Sequence, residues 1–364
     1  MLSTRLVALT MLAGGLGCTA ATAAAGETRG FVVSWFVNSS YSQEGDCPDG
    51  LNWSVDENMR RILKEQGKSD EEIAAMRKQA TQGLAMAIMP NRGRIDGKPV
   101  NVYLNPTAVS DPGAHIMTGK QSFGFNLDGK DGPDGFTDPE TGERGVDNQV
   151  FRALGCFTPQ RATPPDLPSL GVADWDMVRD AMPAWLVEVS GIDNLQNDDD
   201  VQIAILQAQE PIMRSASGGG PESDMTYRVD PNPRHQNVTR GRIKDGLIVT
   251  DPFAVNMMFD PENIPEYYFR DARLRLRIEP DGNLRGILGG YHDWKKLYWG
   301  FAGAGVFAES VVSMDMPAIY YLMRKLADAY PDPKTGENTA ISASYELRAV
   351  PAFVVRNSSL SSAQ

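Results

Sequence analysis

The segment from Asp271 to Tyr291, DARLRLRIEPDGNLRGILGGY, leaves its backbone little choice. Leu274, Leu276 and Ile278 alternate with Arg273, Arg275 and Arg277. A period of two places the apolar side chains on one face of an extended strand and the guanidinium groups on the other. Asp281-Gly282 marks a turn, and Leu284 to Leu288 continues on the far side. The segment is predicted to be an antiparallel hairpin with one wet face.

Other runs share this β character. GFVVSWFV at Gly30 to Val37 reads as a buried strand, and WLVEVSGI from Trp185, DVQIAILQA from Asp200, GLIVTD from Gly246 and AVPAFVV before the C-terminus read as further strands. VNVYL, ending at Leu104, and Gln121 to Phe125 are predicted as two more.

Helices are expected at Asp56 to Gln66 and at Ser69 to Ala87. In the second, Ser69 and Glu72 form a capping box, Ile73, Met76, Ala80, Leu84 and Met86 form an apolar stripe, and Pro90 stops the run. Val146 to Leu154 reads as a short helical turn. Asp315 is a natural N-cap, with Pro317 in the first turn and Ile319, Leu322, Met323, Leu326 and Tyr330 on one face. Strands in runs, with helices near the N-terminal third and the C-terminal end, predict an α+β protein dominated by a β-sandwich.

Residues 1–25 read as an export signal: Arg5 supplies the positive charge, Leu6 to Leu16 the apolar stretch and Ala23-Ala24-Ala25 the cleavage site. A second reading makes Cys18 a lipid-anchored N-terminus. The later apolar stretch Trp299 to Met314 is interrupted by Glu309, so no transmembrane segment is expected, and the product is periplasmic or secreted. The proline-rich TPPDLP at 163–168 suggests a linker between an N-terminal α+β region (26–162) and a β-rich region with a C-terminal helix (169–356), followed by a disordered tail at 357–364. Beyond the signal only Cys47 and Cys156 remain. In an oxidising compartment they pair, closing a loop whose entropy is worth about 4 kcal/mol. The formal net charge of −12 argues against nucleic acid and anionic lipid surfaces as partners.

Between Asn126 and Asn148 the chain holds seven carboxylates and five glycines. Asp128, Asp131 and Asp134 recur every third residue, each followed by glycine, and Asp138, Glu140, Glu143 and Asp147 come after. Hard oxygen ligands on a backbone free to turn suit calcium, and carboxylates this dense repel one another unless compensated. The stretch resembles the Asp/Gly-rich calcium loops of EF-hand-like and thrombospondin-type proteins. It departs from the EF-hand pattern, because counting from Asn126 puts Lys130 at the fifth position and no glutamate at the twelfth. Calcium is therefore the expected cofactor, with Asn126 and the seven carboxylates as candidate ligands. Loop stability, rather than catalysis, is its expected role.

A second acidic patch, Asp193 with Asp198, Asp199 and Asp200, fits a polar hairpin connection. DPETGE at Asp138 recurs as DPKTGE at Asp332 and reads as a repeated turn rather than a domain repeat. His115, His235 and His292 are too scattered for a metal cluster, and no nucleophile elbow, P-loop or dinucleotide fingerprint is present. Tyr291, His292, Asp293 and Trp294 are the most suggestive local group for ligand binding, although such aromatics also fill cores. Glu309 with Asp315 or Asp293 are the acid pairs available to a glycosidase. Catalytic residues are not identified. Two functions follow as expectations: an exported, calcium-stabilised, non-enzymatic binding or structural protein of the cell envelope, with an envelope protein or glycan as partner, or a periplasmic hydrolase or carbohydrate-active enzyme working around His292. Oligomeric state is not legible.

Overall fold

The computed structural model describes residues 26–79, 86–216, 220–259 and 266–356. The export signal with Cys18, the tail at 357–364, and Ala80 and Leu84 of the expected helical stripe lie outside the described residues. In chain order the strands are β1 (Glu27–Asn38), β2 (Gly93–Ile95), β3 (Lys98–Val100), β4 (Phe136–Thr137), β5 (Arg144–Val146), β6 (Pro183–Ile192), β7 (Asn197–Pro211), β8 (Met225–Arg228), β9 (Gln236–Lys244), β10 (Leu247–Thr250), β11 (Phe253–Met258), β12 (Glu266–Ile278), β13 (Leu284–Asp293), β14 (Ala329–Pro331) and β15 (Asn338–Val355). The helices are α1 (Val55–Glu65), α2 (Asp70–Gln79), α3 (Gln149–Leu154), α4 (Ser169–Val178), α5 (Trp294–Gly303), α6 (Gly305–Ser310) and α7 (Met316–Leu326).

The expected β-sandwich is replaced by a closed, eight-stranded antiparallel barrel in the order β1-β6-β7-β9-β10-β12-β13-β15. Closure depends on β1, which pairs with β6 on one side (Phe31 opposite Val187) and with β15 on the other (Phe36 opposite Leu347). With both neighbours present no open edge is left in the barrel wall, whereas a sandwich keeps two separate sheets. β1 precedes the proline-rich stretch and its two neighbours follow it. Strands β8, β11 and β14 pair outside the closed circuit.

Alternate side chains fill the interior. Leu274, Leu276, Leu284 and Leu288 point inward from the β12–β13 hairpin and are fully buried. One end of the barrel is aromatic: Phe36 packs 4.7 Å from Trp185 and 4.8 Å from Tyr345, and Phe269 lies 4.2 Å from the ring of His292.

The opposite, arginine-bearing face of the hairpin is covered at Arg273 and Arg275, whereas Arg285 is exposed. Residues 123–147 lie across it, and Arg273 donates to the carbonyls of Asn126 (2.9 Å) and Leu127 (3.1 Å). Phe125 packs directly on β13 at Gly289, where a Cβ would come within 2.6 Å of the ring, so only glycine admits this contact. Phe125, Leu127, Ile287 and Tyr291 thereby form a small apolar cluster outside the barrel.

Local signals are met where they are short-range. Ser69 and Glu72 exchange backbone hydrogen bonds as a capping box, and Ser54 and Glu57 form a second at the start of α1. Asp315 caps α7 by accepting from the Ala318 amide at 2.9 Å. That helix ends at Leu326, so Tyr330 belongs to β14 rather than to its apolar face. VNVYL is a strand only through Val100, because Asn101 turns the chain by accepting from the Tyr103 amide at 2.8 Å. Gln121 and Phe125 form isolated bridges rather than a strand. The two DPxTGE copies make one turn twice: Asp138 and Asp332 each accept from the amides two and three residues on, and Gly142 and Gly336 take φ of 72° and 74°. Cys47 and Cys156 are bonded, with Cα atoms 5.9 Å apart. Among the described residues no helix is long and apolar enough to cross a membrane.

Candidate ligand-binding site

The acidic residues of 126–148 are dispersed rather than gathered. Asp138 is buried, accepts from the amides of Gly124, Glu140 and Thr141, and pairs with Arg275. Glu143 reaches the same guanidinium at 3.4 Å, and Arg275 also lies 5.0 Å over the Phe125 ring. Asp131 pairs with Arg144, and Asp128 with Lys130. Asp147 turns away and accepts from the amides of Leu127 (2.7 Å) and Asp128 (3.2 Å); burial raises its carboxyl to about 6, and the nearby charge of Asp128 adds to the rise. Asp134 and Glu140 are exposed. Asn126 donates to the carbonyls of Lys130 and Arg144, leaving its buried Oδ1 without a hydrogen-bond partner. Among the described residues no three His, Cys, Asp or Glu side chains are placed to hold one metal ion. In the second acidic patch, Asp198 binds the amides of Asp193, Asn194 and Asp200, which is turn geometry.

Strand alternation separates the group around His292. Tyr291 faces outward and packs edge-on against Tyr330, 5.8 Å away, whereas His292 points into the barrel. His292 is 3% exposed, its Nε2 lies 2.9 Å from the Tyr345 hydroxyl, and it has a backbone hydrogen bond to Tyr268. Burial among aromatic rings pushes its pKa down to about 3, so it is neutral at physiological pH. Asp293 caps α5, accepting from Lys295 and Lys296 at 3.0 Å, and the buried Trp294 donates to the Asn338 carbonyl. His292 and Asp293 line one cavity of only about 30 Å3, together with Glu266 and Tyr268, and Tyr291 and Trp294 are not part of it.

Glu309 and Asp315 do approach each other, but Arg92 occupies the space between them. It holds Glu309 through two bonds (2.8 and 2.9 Å) and Asp315 through one (2.8 Å). Arg61 adds a second cation at Asp315 (2.7 Å), and Tyr103 donates to Glu309 at 3.0 Å. Two arginines and two carboxylates balance in charge. All the carboxylate contacts are structural, joining α1 and the 89–104 segment to α6 and α7.

Two further cavities among the described residues are large or apolar enough to bear on ligand binding. At the aromatic end of the barrel, α4 and the α5–α6 pair cover a cavity of about 90 Å3. Phe36, Tyr267 and Tyr345 floor it, Leu170 comes from α4, and Phe301 and Met314 roof it. Asn38 and Gln160 are polar residues of its lining. Met177 and Phe307 stand exposed at its rim. A groove of about 500 Å3 runs along the outer wall of β12, β13 and β15, bounded by Glu140 and Thr141 of the acidic loop and by the proline-rich stretch. Asn38 and Pro168 belong to the walls of both.

Comparisons with protein-family models, with curated proteins and with solved structures returned no match. The cavity residues escape sequence reasoning because at least five separate segments, between Phe36 and Tyr345, supply them. The one available signal was the apolar run from Trp299 to Met314, whose side chains form the roof.

Proposed function

We propose that the chain is an exported, non-enzymatic binding protein that takes an apolar small molecule, or the apolar end of a larger one, at the mouth of its barrel. The observation that carries this reading is the mouth cavity: apolar walls with a few convergent polar groups, at the open end of a closed barrel, are the usual form of a small-molecule site. Its size limits the occupant. About 90 Å3 is less than the roughly 150 Å3 of a cavity that takes benzene, so a chain end or small ring enters only as α4 and α5–α6 part. The export signal and the disulfide support an extracytoplasmic setting. His292 is buried and its Nε2 is engaged with the Tyr345 hydroxyl, and the cavity it lines is only about 30 Å3, which favours the binding reading over the hydrolase one. Neutral N-phenyl-1-naphthylamine should bind with a rise in fluorescence, and Ala304→Phe, which fills the cavity from its roof, should abolish binding while the far-UV spectrum is kept. Equal binding by both proteins overturns the assignment.

Calcium at the acidic loop is a second proposal. It is favoured by the unpartnered Oδ1 of Asn126, on the turn whose amides bind Asp147. Elemental analysis of protein purified without chelator tests it, and absence of calcium at one equivalent sinks it.

A further inference from the structure

The outer wall of the barrel carries an arrangement that neither the mouth cavity nor the acidic loop requires. Arg277 on β12 stands directly opposite Arg285 on β13, and Arg285 stands directly opposite Arg348 on β15. Side chains paired this way lie about 4.5–5.5 Å apart at Cβ, and like charges placed directly opposite cost stability. Three guanidinium groups thus form a row straight across three adjacent strands. All three line the 500 Å3 groove.

Their compensation is partial. Arg285 pairs with Glu279 and lies 3.9 Å from Glu140, and Arg348 pairs with Glu346 at 2.5 Å. Arg277 has no carboxylate within ion-pair distance among the described residues; its Nη1 reaches only the Asp245 carbonyl at 3.3 Å. Arginine presents its donors in a planar fork matched to carboxylate, sulfate and phosphate oxygens, so a row of them is suited to an oxyanion. The rest of the lining is mixed: Phe123, Pro164, Pro165, Leu167 and Ile287 stand beside Ser40, Thr141, Arg275 and the acids Glu140, Asp166 and Glu346, and Asn38 and Pro168 belong to the walls of the mouth cavity as well. Its volume is within the range of small-molecule sites.

We propose that the groove and the mouth cavity together bind a single-chain amphiphile with an anionic head, the oxyanion seated on Arg277, Arg285 and Arg348 and the chain running past Phe123 and Leu167 toward the barrel mouth. The proposal rests on the mouth cavity being the apolar site, and the test separates the two. Dodecanoate, monododecyl phosphate and dodecanol are titrated against the N-phenyl-1-naphthylamine complex of the wild-type chain and of Arg277→Gln/Arg285→Gln, with inorganic phosphate as a headgroup-only control. Both anionic amphiphiles should displace the probe at concentrations at least ten-fold lower than dodecanol. The double variant should bring that ratio close to one without changing dodecanol. Inorganic phosphate should displace nothing at the concentrations that suffice for monododecyl phosphate. Equal potency of dodecanol and dodecanoate on the wild-type chain overturns the proposal, as does a preference that survives the double variant. Failure of the probe and of dodecanol to bind, with dodecanoate still binding in calorimetry through the arginines, overturns the mouth-cavity reading and leaves the arginine row as the site.

Discussion

Arg275→Met isolates what holds the acidic loop to the barrel. Methionine keeps much of the side-chain length but removes the cation from the buried Asp138, from Glu143 and from the face of Phe125. Breaking a buried ion pair by deleting one partner costs about 3–5 kcal/mol, because a desolvated charge is left behind. Asp138 retains three backbone amide donors, so the lower end applies and about 3 kcal/mol is expected. At about 2.1 cal/mol/K per residue a chain of this length has an unfolding entropy of roughly 0.7 kcal/mol/K, which converts that loss to about 4 °C in Tm. Differential scanning calorimetry of both proteins, each with and without EDTA, reads the effect. Hydrogen exchange should place the loss at residues 123–147, and Arg275→Lys should recover only part of it, since an ammonium cannot span both carboxylates in the same way. A variant melting within 1 °C of wild type would refute the argument that arginine compensates the loop. A wild-type Tm lowered by EDTA and restored by calcium would assign that compensation to an ion instead.

Arg92→Met should destabilise by roughly 3–5 kcal/mol in chemical denaturation, since Glu309 and Asp315 stay buried with one cation fewer; adding Glu309→Leu to the variant should return part of the loss, and strict additivity of the two changes would argue against coupling. For pH, His292 has its folded pKa depressed from 6.5 to about 3. Its contribution is fully present above about 6.5 and is lost as pH falls toward 3, an upper bound of about 5 kcal/mol. Asp147, raised to about 6, acts in the opposite sense: its contribution is present below about 4 and is lost as pH rises through 6. Proton NMR should therefore show no titration of His292 between pH 8 and 5, and an imidazole midpoint near 6.5 would contradict its burial.

The local parts of this fold are legible because they depend on neighbours in sequence. The alternation in β12, the Ser69–Glu72 capping box and the Asp315 N-cap each involve residues a few positions apart, and all are present. Closure of the sheet is not legible, because inward-outward alternation is the same in a sandwich and a barrel. The pairing that decides between them, Val33 opposite Ala349, joins the two ends of the described chain. The helices α5 and α6 are missed for a different reason. Tyr298 and Phe301 lie between the barrel and α7, and with apolar residues on several faces the segment lacks the single stripe from which helices are read. Asp293, which caps α5, was the signal available there.

The hairpin's arginines also show why a polar face is not sufficient evidence of a solvated one. Arg273 and Arg275 are spaced like solvent-facing residues, yet they bind carbonyls and carboxylates of a segment that comes more than a hundred residues earlier. Arg277 continues the same stripe by two positions, just beyond the point where the acidic loop supplies partners. Its cross-strand neighbours are Leu247 on β10 and Arg285 on β13, and Arg348 lies one strand further on, opposite Arg285. Had the stripe served loop docking alone, an acid at either neighbouring position would relieve the repulsion without touching Asp138 or Glu143. Solubility alone would be met as well by charges of mixed sign. A row of like charges retained across three strands, beside a groove with a partly apolar wall, is accounted for when an anion from outside the chain completes it.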